Sequence, residues 1–574
     1  MRNVHRASRC SSPLHFVTGL RSERIFAMNA SRLGWLAIAA PALCLLLALS
    51  PSRAQSAAGK CADLAHLQIE NTAISEAVDV PAGKPLTVGG GFGPPVEFTS
   101  LPAHCLVHGE VNHHKGADGK DYGDKFELRM PASWQGRLLF RGGGGLDGVL
   151  NPALGLQGAE TTPASKSALA MGYAVVATDG GHQDNGPMGN GSFGADPDAR
   201  DDYDYRSTRL IVEVARKILA HYYSEPLKYS YFQGCSNGGR EGLIAAERYP
   251  EFFDGVIAGA PAFNLTHAAM AEAWNSIELA SIAPHRPDGS PDLTQSLTEA
   301  DLKQLTHAVL EQCDAQDGLK DGLIFNTEAC RFDPAVLKCS AGQTAGCLSK
   351  EKVDVIDAIF KGPHNSAGKA IYSSWPYDSG DSAEGWRVWM TGFGNVPSIN
   401  VLIFPSFFNV ALAAKPPRVD IFHFNFDTDS TRIDNAAAAD INAVSTDFSA
   451  FRKRNGKLLL YTGMSDPVFS AKDLAAWYRR IEDHNGGEAE TQGFARLFLA
   501  PGVNHCQGGP GLDDFDTLGA MQSWVESGKA PDSLLAAGRA FPGRTRPLCA
   551  YPRFAQYDGK GNPEQASSFT CHAP

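Results

Sequence analysis

Three things are scarce in this 574-residue chain, and each scarcity closes a class of explanation. There is no internal repeat and no low-complexity tract beyond the short run Gly142–Gly145, which removes solenoids, fibrous repeats and disordered tails. Positive charge is in deficit: 51 Lys and Arg stand against 63 Asp and Glu, a net −12, so no basic surface is on offer to nucleic acid. Long apolar runs are missing apart from Leu33 to Ser50, which follows Arg32 and ends at Ser52-Arg53-Ala54 before polar residues. That layout predicts a secretory signal peptide cleaved near Ala54 rather than a membrane anchor. Leu43 before Cys44 also departs from the small residue that precedes a lipidated cysteine. Met28 opens the basic region of this segment, so residues 1–27 read as an upstream extension.

What is present describes an ordinary globular protein, with 43% hydrophobic and 20% charged residues, and 59 Gly with 35 Pro that call for many turns. The length exceeds what one core usually supports and predicts a large insertion or a second domain. Residues 1–54 hold seven Arg and one Glu, so their removal takes the net charge from −12 to −18. It also removes Cys10 and Cys44, leaving ten cysteines, an even number that suits a secreted or periplasmic protein with up to five disulfides.

Strand-like runs at 136–141, 173–178, 229–233, 255–259, 457–461 and 496–499 alternate with helical patterns such as 208–223 and 239–249. The alternation predicts an α/β core with a mostly parallel sheet, built from residues 55–260 and 455–574. The run 261–454 breaks the rhythm with short helices, clustered cysteines and many aromatics, and reads as an inserted lid domain.

Between a predicted strand and a predicted helix lies Gly234-Cys235-Ser236-Asn237-Gly238. The glycines permit a sharp turn that lifts the Ser236 hydroxyl above the sheet, the nucleophile elbow of α/β hydrolases. A serine hydroxyl needs a histidine base, and the base needs a carboxylate to fix its tautomer. Asp466, in the turn after the 457–461 strand, and His505, in the turn after 496–499, follow Ser236 in the order serine, acid, histidine. The competing readings are a turn cap for Asp466 and a surface loop histidine for His505. Backbone N–H donors for an oxyanion are expected from Asn237 and from Gly143 or Gly144, where missing side chains let a substrate approach.

Cys235 precedes the nucleophile and Cys506 follows the base, and a disulfide between them would tie the two catalytic loops together. Here the chain resembles the tannase and feruloyl esterase family over essentially all of its mature length. The family carries a Cys-Ser, Asp, His-Cys constellation with that bridge. The resemblance implies an α/β-hydrolase core with a lid, the catalytic set Ser236, Asp466 and His505, and the pairs Cys235–Cys506, Cys61–Cys105, Cys313–Cys330, Cys339–Cys347 and Cys549–Cys571. Spacing alone leaves those pairings open.

Between Cys313 and Cys330, Asp314, Asp317 and Asp321 sit among Asp-Gly turns and are equally readable as a solvated loop or as a hard-cation site. The resemblance implies a structural calcium ion, held by these three carboxylates with Leu319 and Leu323 as carbonyl donors. From Trp375 to Phe408 the lid is rich in aromatics, most of them suited to its own core, with Trp386 and Phe393 as candidates for contact with an aromatic acyl group. His182 has the wrong chain position for a base and reads as a loop organiser, and His113-His114 as solvated side chains.

The expected activity is hydrolysis of small aromatic-acid esters, feruloyl or galloyl in type, through an acyl-enzyme, with no nucleic acid, membrane anchor or obligatory protein partner. The same family includes hydrolases of mono(2-hydroxyethyl) terephthalate, whose free carboxylate calls for a lid cation. Between 388 and 417 the sequence offers only Lys415, flanked by Arg387 and Arg418. A remoter alternative is an inactive calcium-dependent binding protein on a hydrolase scaffold.

Overall fold

Nine strands hydrogen-bond into one sheet in this computed structural model, which describes residues 60–89, 96–155, 167–183, 189–413 and 420–574. The signal segment at 1–54, Lys415 and Arg418 lie outside the described residues. In chain order the strands are β1 (Thr72–Val80), β2 (His104–Lys115), β3 (Asp121–Pro131), β4 (Arg137–Arg141), β5 (Tyr173–Thr178), β6 (Tyr229–Cys235), β7 (Gly255–Gly259), β8 (Lys457–Gly463) and β9 (Ala495–Ala500). Their order across the sheet is β1-β2-β3-β5-β4-β6-β7-β8-β9. The first three pair antiparallel, as does β3 with β5, and the rest of the sheet is parallel. This is the α/β-hydrolase arrangement, with an antiparallel N-terminal wing that the sequence reading did not anticipate.

The parallel strands are covered on both faces, which is why β5 and β7 are continuous small and apolar runs with every residue buried. One face packs against helices α1 (Ser207–Tyr222) and α2 (Asn237–Arg248), joining Phe232, Val256, Leu458 and Leu460 to Ile211, Ile218, Leu243 and Ile244. The other joins Leu139, Tyr231, Ile257 and Leu459 to Leu518 and Met521. Each fully buried Leu or Ile contributes about 1.5–3 kcal/mol relative to exposure, so the turns at the strand ends that hold Ser236, Asp466 and His505 rest on a rigid base.

Between β7 and β8 the chain leaves the sheet for helices that include α3 (Leu265–Ile282), α4 (Glu299–Cys313), α5 (Glu384–Met390) and α6 (Ile399–Ala411). Their core is one cluster that also takes in Leu146, Phe193, Tyr203, Val468 and Phe469 from the turns of the sheet region. The inserted helices therefore share a core with the turns that follow the strands.

Candidate active site

Strand β6 ends at Cys235, and Ser236 follows at φ 63°, ψ −125°, a conformation outside the ordinary regions for a residue with a Cβ. Hydrogen bonds hold it there. The Ser236 N–H donates to the Gly259 carbonyl at 3.0 Å, and its own carbonyl accepts from Arg240 at 3.1 Å and Ala262 at 3.0 Å. A Cβ on Gly238 would lie 2.6 Å from the Gly143 oxygen, and one on Gly142 would lie 2.8 Å from the Gly238 Cα, so glycine is required on both sides of this approach. Helix α2 begins at Asn237, placing its unpaired first-turn N–H groups beneath the hydroxyl.

Asp466 is 1% exposed in the turn after β8, and its Oδ1 accepts the Val468 and Phe469 N–H groups at 2.8 and 3.1 Å. Its Oδ2 meets His505 Nδ1 at 2.8 Å, which assigns the proton to Nδ1 and leaves Nε2 as the basic nitrogen. The Cys235–Cys506 disulfide, with Cα atoms 6.0 Å apart, draws the loop of His505 to the loop of Ser236 across 271 residues of chain. Cys506 itself adopts φ 62°. All five disulfides carry the pairing that the family resemblance implied.

The expected oxyanion donors divide. The Gly143 N–H donates to Glu241 Oε2 at 3.1 Å and is not free in this state. No acceptor among the described residues takes the Gly144 N–H, and a Cβ there would meet open space. Gly144 and Asn237 are therefore the better-placed pair. The carboxyl partner Glu241, and Asp147 beside it, were absent from the sequence reading because nothing local marks a buried acid.

The lid assignments shift as well. Trp386 is buried in the lid core and Phe393 lies under the Arg387 guanidinium at 5.8 Å, and among the described residues neither ring stacks on or meets the edge of His505. The rings that do are Trp389, edge-on to His505 at 5.3 Å, and Phe469 at 5.4 Å. Behind the loops, buried Asp378 accepts from Ser465 Oγ at 2.6 Å and from the Gly502 N–H at 2.7 Å, bracing the turns before Asp466 and His505. Arg387 is engaged by Glu299 at 3.2 Å. His182 is buried, stacked on Phe193 at 3.6 Å, and burial pushes its imidazole down to about 3, so it stays neutral.

In the Cys313–Cys330 loop, Asp314 accepts from the Asp321 and Gly322 N–H groups and Asp317 from Leu319 and Phe325. Asp321 faces Arg546 and Arg544. Burial and then mutual repulsion push Asp317 up to about 7. Among the described residues only His114, Asp196 and Asp198 bring ligand atoms within 4.8 Å of one another, so the three loop aspartates are not converged that closely. His114 is half-buried beside Asp196 at 3.5 Å, whereas His113 is exposed.

Comparison with known proteins fits this geometry. The family model described as tannase and feruloyl esterase matches residues 105–572. A mono(2-hydroxyethyl) terephthalate hydrolase from Piscinibacter sakaiensis is 40% identical over 83% of this chain and 86% of its own length. A probable feruloyl esterase from Arthroderma benhamiae is 30% identical over 77% of this chain and 81% of its own. The crystal structure of feruloyl esterase B from Aspergillus oryzae superposes with a TM-score of 0.74 at 25% identity, covering 89% of this chain and 98% of that one.

Proposed function

This chain belongs to the tannase and feruloyl esterase family, and on that premise we propose that it is a secreted serine esterase that cleaves small aromatic-acid esters, feruloyl or galloyl in type. The observation that carries the mechanism is the His505 Nδ1 to Asp466 Oδ2 hydrogen bond on a loop tied by disulfide to the Ser236 elbow. Ser236 Oγ attacks the ester carbonyl carbon while His505 Nε2 takes its proton, and Asp466 stabilises the imidazolium. The oxyanion is held by the N–H groups of Asn237 and Gly144. Collapse expels the alcohol, which takes the proton from His505. Water, deprotonated by His505, then releases the acid from Ser236.

Five disulfides support an oxidising compartment, and no helix among the described residues is long and apolar enough to cross a membrane. Hydrolysis of mono(2-hydroxyethyl) terephthalate is the second reading, favoured by the 40% identical relative. Against it, Arg387, which borders that part of the lid in sequence, is already paired with Glu299. Turnover on methyl ferulate, methyl gallate and the terephthalate half-ester separates the two. A higher kcat/KM for the half-ester than for both methyl esters overturns the first reading.

A structural calcium ion belongs to the proposal. Asp314, Asp317 and Asp321 would hold it with the Leu319 and Leu323 carbonyls, and the fit rests on two buried acids, Asp314 and Asp317, that form no ion pair among the described residues. Bound there, the ion would pin the loop and take no part in the chemistry.

A further inference from the structure

Below the glycine turn and the elbow, two carboxyl groups from distant parts of the chain are buried together. Asp147 is 3% exposed and held at φ 48°, with its N–H on the Gly144 carbonyl at 3.0 Å. Glu241, one turn into α2, is 8% exposed. The Asn237 side-chain nitrogen donates to both, at 2.8 Å to Asp147 Oδ1 and 3.0 Å to Glu241 Oε1. Glu241 Oε2 takes the Gly143 N–H. Each carboxylate oxygen of Glu241 thus holds one arm or the other of the oxyanion site and keeps a lone pair for the neighbouring carboxyl. Asp147 Oδ2 accepts no N–H or O–H from a described residue and is the oxygen left to carry a proton toward Glu241.

We propose that the hydrogen-bonded Asp147–Glu241 carboxyl pair is a positioning clamp that holds the two arms of the oxyanion hole, the Gly142–Gly145 turn and Asn237, in register around Ser236. This rests on the esterase reading above. Charge fits the assignment. Arg240 is fully buried, donates to Asn237 Oδ1 at 2.7 Å and is otherwise bound to the carbonyls of Tyr203, Asp204 and Ile441. One guanidinium balances a pair that keeps one proton. Two ionised carboxylates would leave a buried negative charge with no cation bonded to it among the described residues, a strongly unfavourable state. Burial, and then the charge of Glu241, hold Asp147 well above the ordinary carboxyl range, and burial also raises Glu241. The other titratable groups facing the pair are Arg141 from the end of β4 and Tyr203, and Asp202 and Asp204 line the same small cavity as Glu241.

The test uses the full-length secreted enzyme on methyl ferulate, reading kcat, KM, their pH profiles and melting temperature. Glu241→Gln cannot accept from both Asn237 and Gly143. Its kcat should fall roughly tenfold to a hundredfold, less than the loss from deleting an oxyanion donor outright, with KM within about twofold because ground-state contacts are untouched. Asp147→Leu should lose a similar factor, and Asp147→Asn, which keeps both hydrogen bonds without a titratable proton, should recover most of it. In the wild type, kcat should fall on the alkaline side as the pair loses its proton, and Asp147→Asn should lack that limb. Unchanged kcat in Glu241→Gln, or a loss carried wholly by KM, overturns the clamp. If the leucine variant does not fold, the wild-type and Asp147→Asn pH profiles decide, and identical alkaline limbs overturn it. Ser236→Ala run alongside separates the layers: an active alanine variant sinks the esterase reading, whereas an inactive one beside a normal Glu241→Gln sinks only the clamp.

Discussion

Ser236, Asp466 and His505 carry different predictions although they form one unit. Ser236→Ala should lower kcat by about 10⁶-fold with little change in melting temperature, because the elbow is held by backbone hydrogen bonds rather than by the hydroxyl. Asp466→Asn keeps the shape but presents a donor where His505 Nδ1–H needs an acceptor, so kcat should fall by about 10⁴-fold in steady-state assays with KM nearly constant. His182 gives a stability prediction. Its folded value of about 3 lies below the ordinary 6.5, so the unfolded chain binds a proton that the native state refuses. The resulting stability is present above pH 6.5 and is lost as pH falls toward 3. His182→Gln should flatten that loss in denaturant titrations between pH 7 and 4, and an unchanged slope contradicts it.

Ser236, Asp466 and His505 were legible because each sits in a turn after a strand rich in apolar residues, and their order is distinctive. Asp147 and Glu241 were not, since 94 positions separate two acids that read individually as surface charge. Trp389 shows another limit. The sequence places Trp386 and Trp389 one turn apart on α5, and only packing against α3 and α6 decides which ring meets His505.

At the scale of elements, the joint between the β6 and β9 turns is the Cys235–Cys506 bridge. Closing a loop of 271 residues is worth about 5 kcal/mol in chain entropy. Its removal should also loosen His505 relative to Ser236. The double serine variant should lose at least about tenfold in kcat even at temperatures where circular dichroism shows it folded, since near-attack geometry tolerates little displacement. Loss of melting temperature with kcat retained would make the bridge purely structural. The lid strand of the account is tested by Trp389→Ala, which removes the ring against His505 and should raise KM and lower kcat together.

The parallel half of the sheet and helices α1 and α2 were readable to within one or two residues at most ends. The antiparallel wing β1 to β3 was not read as strands. In β2, the run His104–Lys115 mixes histidines and a glutamate among its outward positions, and its pairing with β1 and β3 makes it a strand. The lid was legible as an interruption but not as a packing arrangement, because its core borrows Leu146, Phe193 and Phe469 from elsewhere in the chain.

In the molecule as a whole, an α/β-hydrolase sheet, a helical insertion sharing a core with the turns beside Ser236 and Asp466, and a disulfide frame are joined. Calcium removal bears on that frame. Chelation followed by calorimetry should lower the melting temperature and release one equivalent of bound metal, and unchanged values for both would remove the ion from the account. Arg387 held by Glu299 in the lid predicts that uncharged aryl esters are preferred to the terephthalate half-ester in kcat/KM comparisons.

The central claim is covalent catalysis at Ser236, and the most direct measurement is mass spectrometry of the intact protein after reaction with an aryl phosphonate ester, followed by peptide mapping. The account predicts one adduct per chain, on the peptide containing Ser236, with esterase activity lost in proportion to labelling. An unmodified Ser236 in an enzyme that still turns over methyl ferulate, or an adduct on another residue that alone abolishes activity, would contradict it.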